Sequence, residues 1–401
     1  MKNIIKKVLN KIVDYITYFL AYIFNILPHP KDYLVFESNS DLQDNTKALF
    51  DFMLDNNLDK KYNLIWVIRD FKKIEKYTKK YKTVKFIKFY TRRHIMGYFK
   101  MLYYTSIAKY TFYSHAFIGV PTNKKQIRFF LTHAAVPIKN SKNMFWNYKN
   151  NTYILSTSEF AAFYRCLTFN GGIEKVQMLG FPRNDYFFKN NKQIKKVLNI
   201  ESFKKIIIWM PTFKHHISGD RNDFMSSKEN DITILSPKNM KKINESLSQN
   251  NNLLIIKFHP AQDKKFVSTI NDSNILTISN EELAEKNVEL YSLLGICDAL
   301  ITDFSSVYFD YLLTNRMIGF DLCDAKDYKN GVGFLMKNPT CYMPGDKIYC
   351  IKDFIDFLDN VNNNIDNFKS ERELLRSKVH NYLDGNSSKR IIEFLKLGGD
   401  K

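Results

Sequence analysis

The chain has 401 residues, a hydrophobic content of 45% and a formal net charge of +19. This length is greater than that of a typical domain with one hydrophobic core, and it predicts two domains. The hydrophobic content is high enough to exclude disorder of the whole chain. The positive charge favours an anionic partner: a nucleic acid, an acidic membrane surface or a phosphorylated substrate.

The N-terminal segment, residues 1–30, begins with a basic and apolar pattern. Its lysines recur at helical spacing with apolar residues between them, at Lys2, Lys6, Lys7 and Lys11. Asp14 interrupts the apolar run, and the uncharged part, residues 15–28, is shorter than the ~20 residues needed to span a bilayer. We predict an amphipathic helix lying on an anionic membrane surface; the alternative is a helix packed on the protein's own core.

Short β-rich runs follow, separated by longer mixed segments. In the first half they are residues 33–38, 62–68, 83–87, 127–133 and 153–158, and in the second half 205–211, 252–260, 275–279, 298–303 and 317–321. Continuous apolar strands alternating with helical segments indicate parallel sheets covered on both faces. The fold class is therefore predicted as α/β, with two doubly wound Rossmann-like domains facing a cleft.

These runs also suggest where the domains begin and end. We predict an N-terminal α/β domain over residues 31–190 and a C-terminal α/β domain over residues 200–375. The polar stretch 184–203 is interpreted as the linker, and residues 376–401 as a C-terminal helix packing across the domains.

Residues 72–100 form a strongly basic run with aromatic residues interleaved. It contains eleven lysines and arginines and a single acid, Glu75. Such a pattern is found on nucleic-acid-binding surfaces, but the run crosses a predicted strand and two helix flanks, so its charges need not share a face. We favour a solvated face resting on anionic lipid, and no nucleic-acid partner.

Titratable or hydroxyl side chains follow several predicted strands. In open α/β sheets ligands bind outside the carboxyl ends of the strands, so these side chains are candidates for a site. They are His133, Thr212, Lys214, His259, Asp303, Ser305 and Ser306. The two histidines are candidates for acid–base chemistry at neutral pH, although each could instead be a core histidine bonded to backbone.

The stretch CDALITDFSSVYFDYLLTN, residues 297–315, joins a buried strand to a helix. We expect Ser305 or Ser306 to cap this helix, whose N-terminus would then offer N–H groups and hydroxyls to a phosphate. The alternative is an ordinary cap without a ligand. The chain has no P-loop, dinucleotide fingerprint, G-x-S-x-G, H-E-x-x-H or D-x-D motif, and its five cysteines have no C-x-x-C spacing, so we expect no cofactor or metal.

Several segments together resemble the CDP-glycerol glycerophosphotransferases, the membrane-associated teichoic-acid primases and polymerases. The most specific is ITDFSSVYFDYLLTNRMIGFD, residues 301–321, and the others are at 33–54, 180–188, 206–214 and 255–260. The resemblance extends over about residues 31–390. It implies a two-domain glycosyltransferase-B-like fold, with the donor nucleotide bound mainly by the C-terminal domain and the acceptor approaching from the N-terminal side and the membrane.

The resemblance also implies roles for the candidate residues in transfer from a CDP-alditol, most simply CDP-glycerol. His133 would act as general base on the acceptor hydroxyl, His259 would stabilise the leaving CMP, and Asp303 would orient a histidine or hold donor hydroxyls. The expected contacts to donor phosphate are Ser305, Ser306, Thr212, Lys214 and Arg183. The enzyme would work as a peripheral protein on the cytoplasmic face of the cell membrane.

One departure from the family pattern bears on the site. The family's first histidine is usually followed by glycine, whereas Ala134 follows His133 here, which could alter the loop if that position needs a positive φ. Two other functions therefore remain open. The chain could be a nucleotide-sugar glycosyltransferase of capsule or lipopolysaccharide synthesis, or a non-catalytic assembly partner docked on the membrane.

Overall fold

The structure, a computed structural model, describes residues 2–26, 32–91, 94–115, 117–138, 140, 148–211, 234–258, 272–323, 325 and 333–398. Within these ranges the chain forms two parallel sheets, one in each half, with helices between the strands. The prediction of two parallel α/β sheets is confirmed.

The first sheet has the strand order β3-β2-β1-β4-β5-β6-β7, and every neighbouring pair is parallel. Its strands are β1 Tyr33–Glu37, β2 Asn63–Ile68, β3 Lys85–Lys88, β4 Tyr110–Tyr113, β5 Ile127–Phe130, β6 Tyr153–Ser156 and β7 Val176–Met178. The helices of this half are α1 Lys2–Ile26, α2 Asp44–Asp55, α3 Ile74–Lys80, α4 Ile95–Ile107 and α5 Glu159–Phe169. The order reverses between β1 and β4, the kind of switch point where α/β sheets bind ligands.

The second sheet has the order β10-β9-β8-β11-β12-β13, also parallel throughout. Its strands are β8 Ile206–Met210, β9 Leu253–Ile256, β10 Ile275–Thr277, β11 Ala299–Thr302, β12 Met317–Asp321 and β13 Asp346–Ile348. The helices of this half are α6 Gln193–Val197, α7 Pro237–Gln249, α8 Asn280–Glu285, α9 Leu290–Ile296, α10 Val307–Tyr311, α11 Ile351–Asn363, α12 Lys369–Val379 and α13 Ser387–Phe394. Short 3₁₀ helices lie at Leu58–Lys60, Phe71–Lys73, Tyr148–Asn150, Ile173–Lys175, Pro182–Phe188, Leu312–Thr314 and Pro339–Tyr342.

Every predicted strand is present, but three further strands were not predicted. They are β4, β7 and β13. β7 and β13 have only three residues each, and two of the three β13 residues are charged. β4 contains three aromatic residues and a buried threonine, Thr111, and lies in the centre of the sheet. A search for continuous aliphatic runs overlooks all three.

The segment that joins the two sheets is packed, which differs from the expected polar linker. It contains the 3₁₀ helix Pro182–Phe188, helix α6, and buried side chains at Arg183, Asn184, Ile194 and Ile200. The 3₁₀ helix packs against α2 on one side and α9 on the other. Its position between the two halves explains why polar residues of this segment are buried: they bond across the junction.

The C-terminal region returns to the first sheet's half of the molecule. In place of the one helix expected over residues 376–401, two helices, α12 and α13, lie here, separated by residues 380–386. The N-terminal amides of Ser387 and Ser388 both donate to the Asp185 carboxylate at 2.8 Å. Tyr62 Oη donates to the carbonyl of Leu397 at 3.0 Å. These bonds fix the end of the chain against the junction segment and the first sheet.

Residues Lys2–Ile26 form helix α1, and part of this helix packs on the protein. Thr17 and Ala21 are buried, and Ala21 packs with Leu102 of α4 and Val120. Leu20 and Phe24 also pack there, whereas other large apolar side chains of α1 are exposed, at Val8, Ile12, Val13, Tyr15, Ile16, Tyr18, Phe19, Tyr22 and Ile26. In the described part of the chain, no helix combines the length and apolar character that crossing a membrane requires.

Candidate functional site

His133 lies three residues beyond the carboxyl end of β5, on a sharply turned loop. The left-handed position of this loop is Thr132, with φ of 55°, a costly conformation for a β-branched residue. Ala134 does not have a positive φ. The alanine that follows His133 therefore creates no backbone strain, because the turn is made one residue before the histidine.

The environment of the His133 ring defines its protonation. Nδ1 lies 3.2 Å from the carbonyl oxygen of Ser114. Because a carbonyl only accepts, Nδ1 carries the proton and the neutral ring keeps its lone pair on Nε2. Burial lowers the pKa of His133 to about 4, and the neighbouring His115 acts in the same direction. At neutral pH the ring is therefore an uncharged acceptor.

His115 is a member of this site that the sequence did not point to. Its ring stacks on that of His133, with centroids 4.4 Å apart and an interplanar angle of 1°. Burial lowers its pKa as well. It follows β4, the immediate neighbour of β5, by two residues. Recognition of β4 would have placed His115 at the same strand edge as His133.

Asp303, Ser305 and Ser306 lie at the carboxyl end of β11 and are partly exposed. Asp303 accepts a hydrogen bond from the Ser305 amide at 3.1 Å, which closes an Asx turn. Ser306 occupies the N-cap position of α10, where a serine was predicted, but its side chain makes no capping bond. The aspartate organises this turn instead, and the serine hydroxyls make no cap.

Arg183 is buried at the junction of the two halves, with its terminal nitrogens bonded to protein. Nη1 donates to the Asp44 carboxylate at 2.5 Å and to the carbonyl of His133 at 2.8 Å. Nη2 donates to Asp310, which is fully buried, at 2.6 Å. Although burial alone lowers the pKa of Arg183, the carboxylates of Asp310 and Asp44 raise it above its ordinary value. The predicted contact of Arg183 with donor phosphate stays untested, and its observed partners are carboxylates and a carbonyl.

Strand-exit loops of both sheets meet near these residues. Leu335 N, beyond β12, donates to the carbonyl of Ile138, beyond β5, at 2.8 Å. Asn140 N donates back to the carbonyl of Gly333 at 3.2 Å. The Arg183 guanidinium adds a second link, because it contacts His133 on one side and Asp310, one helical turn after Ser306, on the other. The carboxyl-end loops of the two sheets thus contact one another.

Three predicted site residues, Thr212, Lys214 and His259, lie outside the described residues. β8, which precedes the first two, pairs directly with β11, and β8 also pairs with β9, which precedes His259. In the part of the chain that the structure describes, no group of three or more His, Cys, Asp or Glu side chains is arranged to hold a metal ion.

This chain is similar in fold and in sequence to known proteins of teichoic acid synthesis. The wall teichoic acid polymerase TagF has a solved structure that superposes with a TM-score of 0.68 over 99% of this chain and 98% of its own, at 20% identity. The chain is 27% identical to the teichoic acid poly(glycerol phosphate) polymerase of Bacillus spizizenii, over 93% of this chain and 94% of that protein. It is 29% identical to the teichoic acid glycerol-phosphate primase of Bacillus subtilis over 56% of this chain. That match spans about half of the primase, 52% of its length.

The fold is therefore that of a two-sheet α/β protein with TagF-like architecture. The chain belongs to the CDP-glycerol:poly(glycerophosphate) glycerophosphotransferase family, whose model matches residues 19–397. The family resemblance predicted from residues 31–390 is confirmed.

Proposed function

We propose that this protein transfers glycerol phosphate, or a related alditol phosphate, from a CDP-alditol to a hydroxyl of a membrane-linked acceptor, with release of CMP. The product would belong to a teichoic-acid or capsule-like polymer. Family membership supports the reaction class. The observation that carries the site is the Arg183 guanidinium, which contacts both the His133 loop and Asp310 and so links the two sides of the cleft.

In the proposed step, the acceptor hydroxyl attacks the phosphorus that bears the glycerol. A new phosphorus–oxygen bond forms, and the bond from that phosphorus to the bridging oxygen breaks, so the electron pair leaves with CMP. The hydroxyl proton passes to Nε2 of His133, the ring nitrogen that carries no proton when Nδ1–H donates to the Ser114 carbonyl. General-base assistance of this kind contributes a factor of about 10²–10⁴ to the rate.

The donor side would be supplied by the second half of the chain. Ser305 and Ser306 would donate hydroxyl and backbone hydrogen bonds to the diphosphate, held in place by the Asp303 turn. His259 would stabilise the leaving CMP, and Thr212 and Lys214 would contact the phosphates. Only their sequence motifs support these roles. Residues 31–190 would form the acceptor-side domain, residues 200–375 the donor domain, and residues 376–401 the C-terminal helix across them.

The exposed apolar face of α1 would hold the enzyme at the cytoplasmic membrane surface. The opposite side of the helix packs on the protein through Thr17, Ala21 and Phe24, so the helix is attached to the enzyme while its aromatic face stays open. The net charge of +19 would add attraction to anionic lipid and to polyanionic substrates.

Replacing Phe19 with glutamate should weaken membrane binding by about tenfold or more, because the ring would no longer be buried among acyl chains. Cosedimentation with phosphatidylglycerol vesicles measures the effect. Phe163→Glu on α5 is the matched control, since Phe163 is 57% exposed and Phe19 is 64% exposed. Equal binding by wild type and Phe19→Glu, or an equal loss in both variants, would contradict the proposed membrane surface.

The pH dependence of kcat/KM should show the lowered pKa of His133, the proposed general base. Because burial lowers the pKa of His133 to about 4, the ring stays neutral as pH falls, and the acidic limb should have its midpoint near pH 4. A midpoint near the ordinary histidine value of ~6.5 would contradict this assignment.

Thermal unfolding should be measured over the same pH range. As the pH decreases from 6.5 to 4, the histidine of the unfolded chain becomes protonated while the buried ring of the folded protein does not. The free energy of unfolding therefore decreases over this range.

The donor class can be tested by measuring nucleotide release from CDP-glycerol, CDP-ribitol and UDP-sugars in parallel. A lipid-linked acceptor analogue in liposomes would be present in each reaction. We expect CMP only from a CDP-alditol and only with acceptor. Release of UDP from a UDP-sugar alone would favour the glycosyltransferase instead, and donor binding without any release would favour a non-catalytic partner.

A further inference from the structure

Four consecutive carbonyls around the candidate base are each bonded by a buried side chain. Asn45 Nδ2 donates to the carbonyls of Leu131 and Thr132 at 3.0 and 3.1 Å. Arg183 Nη1 donates to the carbonyl of His133 at 2.8 Å, and Arg165 Nη2 donates to that of Ala134. We call Asn45, Arg165 and Arg183 the carbonyl clamp.

The clamp acts on the strained part of the loop. Thr132 has a positive φ, and such a conformation persists only where the surroundings determine it. The clamp residues come from α2, α5 and the junction segment, so three elements of the fold converge on one turn. Asn45 and Arg183 are also joined to each other, because Arg183 N donates to Asn45 Oδ1 at 3.2 Å.

The clamp also reaches the donor side of the cleft through Asp310. This carboxylate accepts hydrogen bonds from Arg183 Nη2, from Asn184 Nδ2 at 3.2 Å and from Tyr291 Oη at 2.9 Å. Asp310 lies in α10, one turn after Ser306. A single planar guanidinium therefore sets the distance between the His133 loop and the helix that follows the two serines.

We propose that Arg183 is a positioning residue: its guanidinium fixes His133 relative to the Ser305–Ser306 turn by bonding the His133 carbonyl and Asp310 at once. This inference rests on the proposed function, in which the acceptor hydroxyl and donor phosphate must meet between these groups. It assigns Arg183 a role different from direct contact with donor phosphate. A base displaced by about 1 Å can lose a factor of about 10² in rate.

The test compares Arg183→Lys with wild type in steady-state kinetics and in hydrogen exchange of the peptide spanning residues 131–138. A lysine ammonium keeps the positive charge, but it lacks the planar pair of nitrogens that bonds the His133 carbonyl and Asp310 at the same time. We expect kcat to fall by about 10- to 100-fold, with the KM for CDP-glycerol changed less than threefold. We also expect faster amide exchange in residues 131–138. Asn45→Ala should change the same two readouts in the same direction, and it decides the question if Arg183→Lys does not fold.

Arg372→Lys is the matched control, since Arg372 is also a buried arginine in an ion pair, with Asp366, and makes no contact with the His133 loop. It should leave kcat and the exchange of residues 131–138 unchanged. Unchanged kcat and exchange in Arg183→Lys would overturn the proposal, and so would a raised donor KM at full kcat, which would indicate phosphate binding. If wild type releases CMP from no donor, the proposed function fails, while the exchange comparison still decides whether Arg183 fixes the loop.

Discussion

Replacing His133 with alanine is expected to lower kcat for CMP release by a factor of about 10²–10⁴ without unfolding the protein. The reason is the position of the ring. Nδ1–H donates to the Ser114 carbonyl, so the unprotonated ring nitrogen is Nε2, which we assign to accept the proton of the attacking hydroxyl. Donor KM should change little, because the ring is assigned to the acceptor side. Single-turnover CMP release with saturating CDP-glycerol measures the chemical step.

His94→Ala provides the control, because His94 is an exposed histidine at the start of α4 and belongs to no part of the proposed site. It should retain wild-type kcat. If His133→Ala turns over at a near wild-type rate while remaining folded by circular dichroism, His133 is not the base. His115, which stacks on the His133 ring, would then be the next residue to replace.

Replacing Asp310 with alanine is expected to have the largest effect on stability, a loss of about 3–5 kcal/mol in the free energy of unfolding. Asp310 is fully buried and accepts bonds from Arg183, Asn184 and Tyr291. Its removal leaves the Arg183 guanidinium buried with one carboxylate fewer, and an uncompensated buried charge is costly. Urea unfolding followed by circular dichroism measures the change.

Asp356→Ala is the control for this prediction. Asp356 pairs with Lys352 on the exposed face of α11 at 2.5 Å, and water screens exposed pairs of this kind so that they contribute little to stability. The double variant Arg183→Met/Asp310→Leu should be less destabilised than the sum of its two single variants, since it removes both charges together. A loss for Asp310→Ala no larger than that for Asp356→Ala would show that the junction does not depend on this ion pair.

The strands that the sequence identified share one physical property. β8 and β11 are covered on both faces, so their residues form continuous apolar runs that are visible without a structure. β4 is equally central, yet its threonine and its tyrosines interrupt the apolar pattern. The edge strand β13 contains Asp346 and Lys347 and carries no such pattern at all. The parallel architecture was therefore predictable, and the complete strand order was not.

The site was predictable only where a residue follows a recognisable strand. His133 and Asp303 were found in this way, and the structure places both at carboxyl ends of parallel strands. The carbonyl clamp was not predicted: Arg183 was expected to contact donor phosphate, Asn45 and Arg165 were not named, and bonds to backbone carbonyls leave no motif in the sequence. The serine predicted at the start of α10 is Ser306, but its side chain makes no capping bond, and the Asp303 carboxylate bonds the Ser305 amide in the preceding turn.

In the proposed reaction, this chain forms a phosphodiester between an alditol and an acceptor hydroxyl. The most direct test follows a reaction of purified protein, CDP-glycerol and a lipid-linked acceptor in liposomes by ³¹P NMR. We predict a new phosphodiester resonance that appears together with CMP, requires the acceptor and is nearly absent with His133→Ala. Release of CMP without a new phosphodiester would indicate hydrolysis of the donor, and it would contradict the proposed transfer.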